Sequence, residues 1–159
     1  MACLAACGLA AENAKPTEGK VIKDNASWNM RWIEADKQVE FIVTMKDTNA
    51  WVGLTLGGQA GKMTAGDDMV VFFANKANSS YGDYKSTGFG APTEDTTSKD
   101  VKAHPDHSVD WDESAGTVTI FARRALNTGD AEDFVIELGK PFNVGYAYNG
   151  SSSALTAKH

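Results

Sequence analysis

Trp51-Val52-Gly53-Leu54-Thr55-Leu56 and Met69-Val70-Val71-Phe72-Phe73-Ala74 are two apolar runs, separated by Gly57-Gly58-Gln59-Ala60-Gly61-Lys62-Met63-Thr64-Ala65-Gly66-Asp67-Asp68. Each run has the length of a strand rather than a helix, is rich in β-branched and aromatic residues, and ends at glycine or a polar turn residue. Outward from this pair the period of two continues. Val39, Phe41, Val43 and Met45 alternate with Glu40, Ile42, Thr44 and Lys46, and Phe142, Val144, Tyr146 and Tyr148 form a second alternating set. Trp111-Asp112-Glu113-Ser114-Ala115-Gly116-Thr117-Val118 has the form of a hairpin with an acidic, glycine-terminated turn. Further strands are expected over residues 28–33, 117–122 and 134–138, with turns over 47–50, 57–68, 77–82 and 127–132. Many short strands at this spacing predict an all-β chain folded as an antiparallel β-sandwich. The stretch 86–108 holds few apolar residues and is expected as a long rim loop.

The chain has 159 residues, enough for one domain with its own core. We expect residues 1–19 to be an export-signal remnant or disordered terminus and residues 20–159 to be the single domain. A net charge of −6 and a pI near 5.0 leave no basic footprint for nucleic acid. They fit steering toward a basic protein partner instead. The two cysteines, Cys3 and Cys7, both precede the domain body, so neither thiolate metal sites nor thioether attachment of a haem is available within it. Leu4-Ala5-Ala6-Cys7-Gly8 has the form of a bacterial lipobox, and the small apolar terminus resembles the tail of a secretory signal. The expected location is extracytoplasmic (secreted, periplasmic or membrane-tethered), with Cys7 a possible lipid anchor. Asn25, Asn78 and Asn149 begin Asn-x-Ser sequons, which permit glycosylation in a eukaryotic host.

Chemistry-bearing residues are few. Met63 in the glycine-rich loop and His159 at the far end of the sequence offer a thioether and an imidazole, the axial pair of many electron-transfer haems. Alone, a loop methionine is more commonly a packing residue. His104-Pro105-Asp106-His107 could supply a competing imidazole, but Pro105 denies it a helical scaffold, and an exposed polar loop is the expectation. Asp110, Asp112, Glu113 and the pair Asp67-Asp68 lack the spacing of a twelve-residue calcium loop. No nucleophile elbow, phosphate loop or catalytic triad stands out, so an autonomous enzyme is not expected.

Several stretches together resemble the DOMON domain. They are Trp51-Val52-Gly53-Leu54-Thr55-Leu56-Gly57, then Met63-x-x-Gly66-x-Asp68-Met69-Val70-Val71, Asp83-Tyr84-x-Ser86-x-Gly88 and Pro92-x-x-Asp95. Val118-x-Ile120-x-x-x-Arg124-x-Leu126-Asn127-Thr128-Gly129-Asp130-x-x-Asp133 and Asn143-Val144-x-Tyr146-Ala147-Tyr148 follow in the family's order. The resemblance runs from about Trp28 to His159 and implies an immunoglobulin-like sandwich, with Asp68 as a structural acid at a strand start. In the haem-binding branch, which includes the cytochrome domain of cellobiose dehydrogenase and secreted b-type cytochromes, a loop Met and a His after the final strands hold the iron. Met63 and His159 occupy those places. The resemblance therefore implies non-covalent haem b, ligated by Met63 and His159, with Met69, Phe89 and Tyr148 expected to line its pocket. The partner would be a redox protein or a membrane quinol or ferric-reductase system. Other members carry no haem and are thought to bind carbohydrate or pack beside another domain, which is the alternative.

Overall fold

The computed structural model describes residues 16–23, 26–33, 36–46, 49–59, 63–88, 90–97, 99–106 and 108–155. Eleven strands follow one another among these: β1 (Pro16–Lys23), β2 (Ala26–Ile33), β3 (Gln38–Met45), β4 (Asn49–Leu56), β5 (Ala65–Asn75), β6 (Ser80–Thr87), β7 (Thr93–Glu94), β8 (Lys102–Ala103), β9 (Val109–Asp112), β10 (Thr117–Ala125) and β11 (Val144–Asn149). They form two antiparallel sheets. One has six strands in the order β1-β2-β3-β10-β8, with β9 also paired to β10, and the other has five in the order β11-β4-β5-β6-β7. The all-β antiparallel sandwich expected from the sequence is what the chain forms. No helix of the described residues is long and apolar enough to cross a membrane.

The alternation read from β3 carries through. Val39, Phe41, Val43 and Met45 are fully buried between the sheets, beside Val118, Ile120 and Ala122 of β10 and packed in one core with Val52, Leu54 and Leu56 of β4 and Val70, Phe72 and Ala74 of β5. Phe41 and Phe72 meet at 6.3 Å between ring centroids, a tilted pair at the middle of the core. The hairpin expected around Gly116 is β9 to β10, with Asp112 Oδ1 accepting the amides of Ser114 and Ala115 at 2.9 Å each.

Four expectations change. Residues 134–138 form no strand, because their backbone is claimed by other partners. The Phe134 amide donates to Asp68 Oδ2 at 2.8 Å, its carbonyl accepts from Arg124 Nη2 at 2.6 Å, and Ile136 N donates to Leu126 O at 2.8 Å. Val135 and Leu138 are consequently exposed. The turn expected over 77–82 ends earlier, since β6 begins at Ser80; Asn75 Oδ1 accepts the Ala77 amide and Ser79 Oγ accepts that of Asn75. The 86–108 stretch, expected as a loop, adds the short edge strands β7 and β8. At the chain start, β1 begins at Pro16, ahead of the boundary expected at residue 20.

Near one end of the core a buried ion pair joins the sheets. Arg124 of β10 donates from Nη1 to Asp68 Oδ2 of β5 at 2.5 Å, both side chains being at least 97% buried. Burial raises the Asp68 carboxyl above its ordinary value despite the opposing effect of Arg124. Asp83 of β6 lies alongside, and burial pushes it up to about 6 from 3.8; its hydrogen bond from the Asp100 amide pulls the other way, and the nearby charges of Asp133 and Asp68 add to the rise. A carboxyl raised in the fold contributes stability that is fully present below its unfolded value near 3.8 and is lost as pH rises through about 6.

Two predictions come from this architecture. Gly57 (φ +71°) and Gly116 (φ +63°) both occupy the left-handed region, but a Cβ on Gly57 would lie 2.0 Å from the Phe134 ring, whereas one on Gly116 meets nothing within 4 Å. Gly116→Ala should cost about 1–2 kcal/mol for the backbone alone, and Gly57→Ala a further ~1–3 kcal/mol for the overpacking, read from urea unfolding midpoints. In the same measurement run from pH 4 to pH 7, Asp83→Asn should remove part of the wild-type loss of stability with rising pH; parallel curves for the two proteins would show that Asp83 does not titrate as described.

Candidate functional site: the outer face of the five-stranded sheet

Strands that cover one face alternate apolar and polar residues, yet β4 is buried at every position after Asn49. Its outward residues Trp51 and Thr55 are as hidden as its inward ones. The registers place three rows across this outer face: Gly145-Thr55-Met69-Tyr84, Ala147-Gly53-Val71-Gly82 and Asn149-Trp51-Phe73-Ser80. The middle row carries smaller residues than the rows beside it, a backbone-level trough that the side chains of Met69 and Tyr84 fill. Trp51, Met69, Val71 and Ala147 form a second apolar cluster, separate from the core between the sheets, and Met63, Phe73, Tyr84 and Leu155 pack against it.

Glycine keeps the trough low. A Cβ on Gly53 would stand 2.0 Å from the Met69 methyl, and one on Gly82 2.6 Å from the Tyr84 ring. Met69 therefore lies across Gly53, and Tyr84 folds back over Gly82, with its ring 6.0 Å from that of Phe73. Burial pushes the Tyr84 hydroxyl upward, with Glu94 adding to the shift, so it is neutral at physiological pH.

Two segments cover the face from opposite sides. Met63, half-buried, stands just before a tight turn in which Asp67 Oδ2 accepts the Thr64 amide at 2.7 Å and Asp67 N donates to Thr64 O at 3.1 Å. Gly66 supplies the positive φ (+90°) this turn requires before β5 begins pairing regularly with β6. After β11 the chain is held by Ser151 N to Asn149 Oδ1 and by Ser153 N to Asn49 Oδ1, both 2.9 Å. Leu155 then returns to the cluster that Met63 touches.

Of the residues singled out in the sequence, Met63 and Met69 come together here. His159 and Phe89, as well as His107, Cys3 and Cys7, lie outside the described residues. Tyr148 does not join the cluster. It pairs with Val52 and packs on the core between the sheets, because the period of two puts residue 148 on the face opposite Ala147. Val71, Tyr84 and Leu155 were not anticipated; for Val71 the signal was available in the unbroken apolar run of β5, which exceeds what one buried face requires, while Tyr84 and Leu155 are brought in by tertiary packing.

His104 corrects the expectation of an exposed loop. It is 8% exposed and lies against the outward side of the six-stranded sheet. Its Nδ1 accepts the Asp106 amide at 3.1 Å, and its Nε2 lies 2.9 Å from Arg123 Nη2 and 3.2 Å from Glu40 Oε1. Glu40, fully buried, also receives Arg123 Nε at 2.9 Å and the Arg31 guanidinium. Both sheets separate His104 from Met63, so the two cannot share one metal ion.

The sequence model of the DOMON domain matches residues 23–149, which takes in every strand from β2 to β11. No curated protein matches the chain. The sandwich, the order of its motifs and this match agree: the chain belongs to the DOMON family.

Proposed function

We propose that this DOMON domain binds one haem b without covalent attachment on the outer face of its five-stranded sheet, and that Met63 and His159 are the axial ligands. The observation that carries this reading is convergence. Met63 and Leu155 arrive from distant parts of the sequence and pack on one apolar cluster. His159 follows Leu155 by four residues in the sequence. The residues present suit a flat apolar group: a row of small residues between bulkier ones, a neutral Tyr84, and a cluster with no Lys or Arg among its described members.

A haem held by thioether and imidazole supplies one-electron transfer at a raised potential compared with two imidazoles. The chain's own part is to exclude water with Trp51, Val71 and Phe73 and to hold Met63 at a fixed height through the Thr64–Asp67 turn. With both ligands supplied by the chain, outer-sphere exchange with a redox protein or a membrane quinol or ferric-reductase system is favoured over substrate chemistry, outside the cytoplasm. A carbohydrate-binding reading draws on a different place. Trp28, Trp32 and Phe142 line a groove of about 400 Å³ at the sandwich edge, where Trp28 Nε1 is buried with no hydrogen-bond partner. Quenching of tryptophan fluorescence by soluble oligosaccharides in a protein that takes up no haem would favour that alternative.

The purified protein reconstituted with haem should give a low-spin b-type spectrum, and acid–butanone should extract the haem completely. Met63→Leu nearly conserves volume and should cost under about 1.5 kcal/mol in stability, while lowering the potential or opening a site for carbon monoxide. An unchanged potential and spectrum would leave Met63 a packing residue only. Removal of His159 should sharply reduce haem retention with the far-ultraviolet β signature intact. His104→Ala should instead leave the spectrum unaltered and lower stability by roughly 1–3 kcal/mol, since the buried Arg123–Glu40 pair loses a polar partner. Haem lost with His104 but kept without His159 would reverse the assignment.

A further inference from the structure

We propose that Asp68, Asp83 and Asp133 form a binding site for one hard divalent cation, calcium by preference. Each offers a carboxylate oxygen, and the three oxygens lie within 4.8 Å of one another. Three oxygens no further apart than that share a point at most about 2.8 Å from each, close to a calcium–oxygen bond of roughly 2.3–2.6 Å. The residues come from three places, β5, β6 and the segment between β10 and β11, and the sandwich alone brings them together.

The site has unmet bonding capacity as well as charge. The Asp68 side chain is 3% exposed and its Oδ1 meets no hydrogen-bond donor among the described residues. The Asp133 side chain, 4% exposed, likewise leaves Oδ2 without a donor among them, Arg124 Nη2 standing 3.8 Å away. Arg124 spends its two terminal nitrogens on Asp68 Oδ2 and the Phe134 carbonyl. Three carboxylates against one guanidinium leave two negative charges, the charge a divalent cation would neutralise. Lys85 offers no relief here, being engaged by Asp95 and Glu132. Buried carboxylate oxygens without donors are costly, and the cost is removed by a ligand that accepts oxygen lone pairs.

A way in exists. A cavity of about 180 Å³ opens between Gly57 and Gly66, and its wall carries Asp67, Asp68, Glu132 and Asp133 with no lysine or arginine. Water would complete an all-oxygen shell. Oxygen-only donors select hard cations over zinc or copper, and the lack of a rigid octahedral frame favours calcium over magnesium. This site is distinct from the proposed haem face, since Asp68 and Asp83 point to the opposite side of the five-stranded sheet from Met69.

The test uses the full chain, stripped with EDTA and exchanged into chelator-free buffer. Calorimetric titration with calcium chloride should show one equivalent bound, and calcium should raise Tm more than equimolar magnesium does. The double variant Asp83→Asn, Asp133→Asn, checked for folding by far-ultraviolet circular dichroism, should bind calcium at least about tenfold more weakly and lose the Tm shift. No heat and no Tm change up to about 10 mM calcium would overturn the proposal. So would a folded double variant that keeps the full shift, which would place the ion elsewhere.

Discussion

The five-stranded sheet is covered on both faces, and most of what distinguishes this molecule depends on that constraint. A strand with one buried face needs apolar side chains at alternate positions only. β4 and β5 carry them at successive positions, so one set packs into the core between the sheets while the other demands a second cover. That cover is made by the loop bearing Met63 and by the segment that follows β11 to Leu155. Two stretches remote in sequence are thus drawn to one surface by the need to remove Trp51, Met69 and Val71 from water.

Polar groups are confined to places where they can be partnered. Asp68 and Arg124 connect the two sheets within the core, and the same pair holds the Phe134 backbone in a conformation incompatible with a strand. Glu40 does comparable work on the outward side of the six-stranded sheet, gathering Arg31, Arg123 and His104. Removing one partner from either cluster would leave a buried charge uncompensated, which costs more than the pair contributes. The two clusters differ in completeness. Glu40 is surrounded by cations, whereas the carboxylates around Arg124 outnumber it.

The sandwich also assigns one of the histidines to a face. Sequence alone left His104 and His159 as competing imidazoles, because distance along the chain says nothing about which face a residue reaches. Burial of His104 against Glu40 assigns it to the six-stranded side and gives it a structural role.

What the sequence determined by itself was the fold class, most strands and the position of Met63, since each rests on local information: period-two alternation, glycine at turns, and the order of short motifs. The hairpin at Gly116 and the inward set of β3 were legible for that reason. Three features required the tertiary structure. Residues 134–138 have strand-forming side chains, but Asp68 and Arg124, distant in sequence, capture their backbone. Tyr148 looked like a pocket aromatic until the register with Val52 turned it to the other side. The grouping of Asp68, Asp83 and Asp133 has no local signature, because it exists only where β5 and β6 meet the segment between β10 and β11. Local propensity sets which residues extend; which face they share is settled by register and by the closing of one sheet on another.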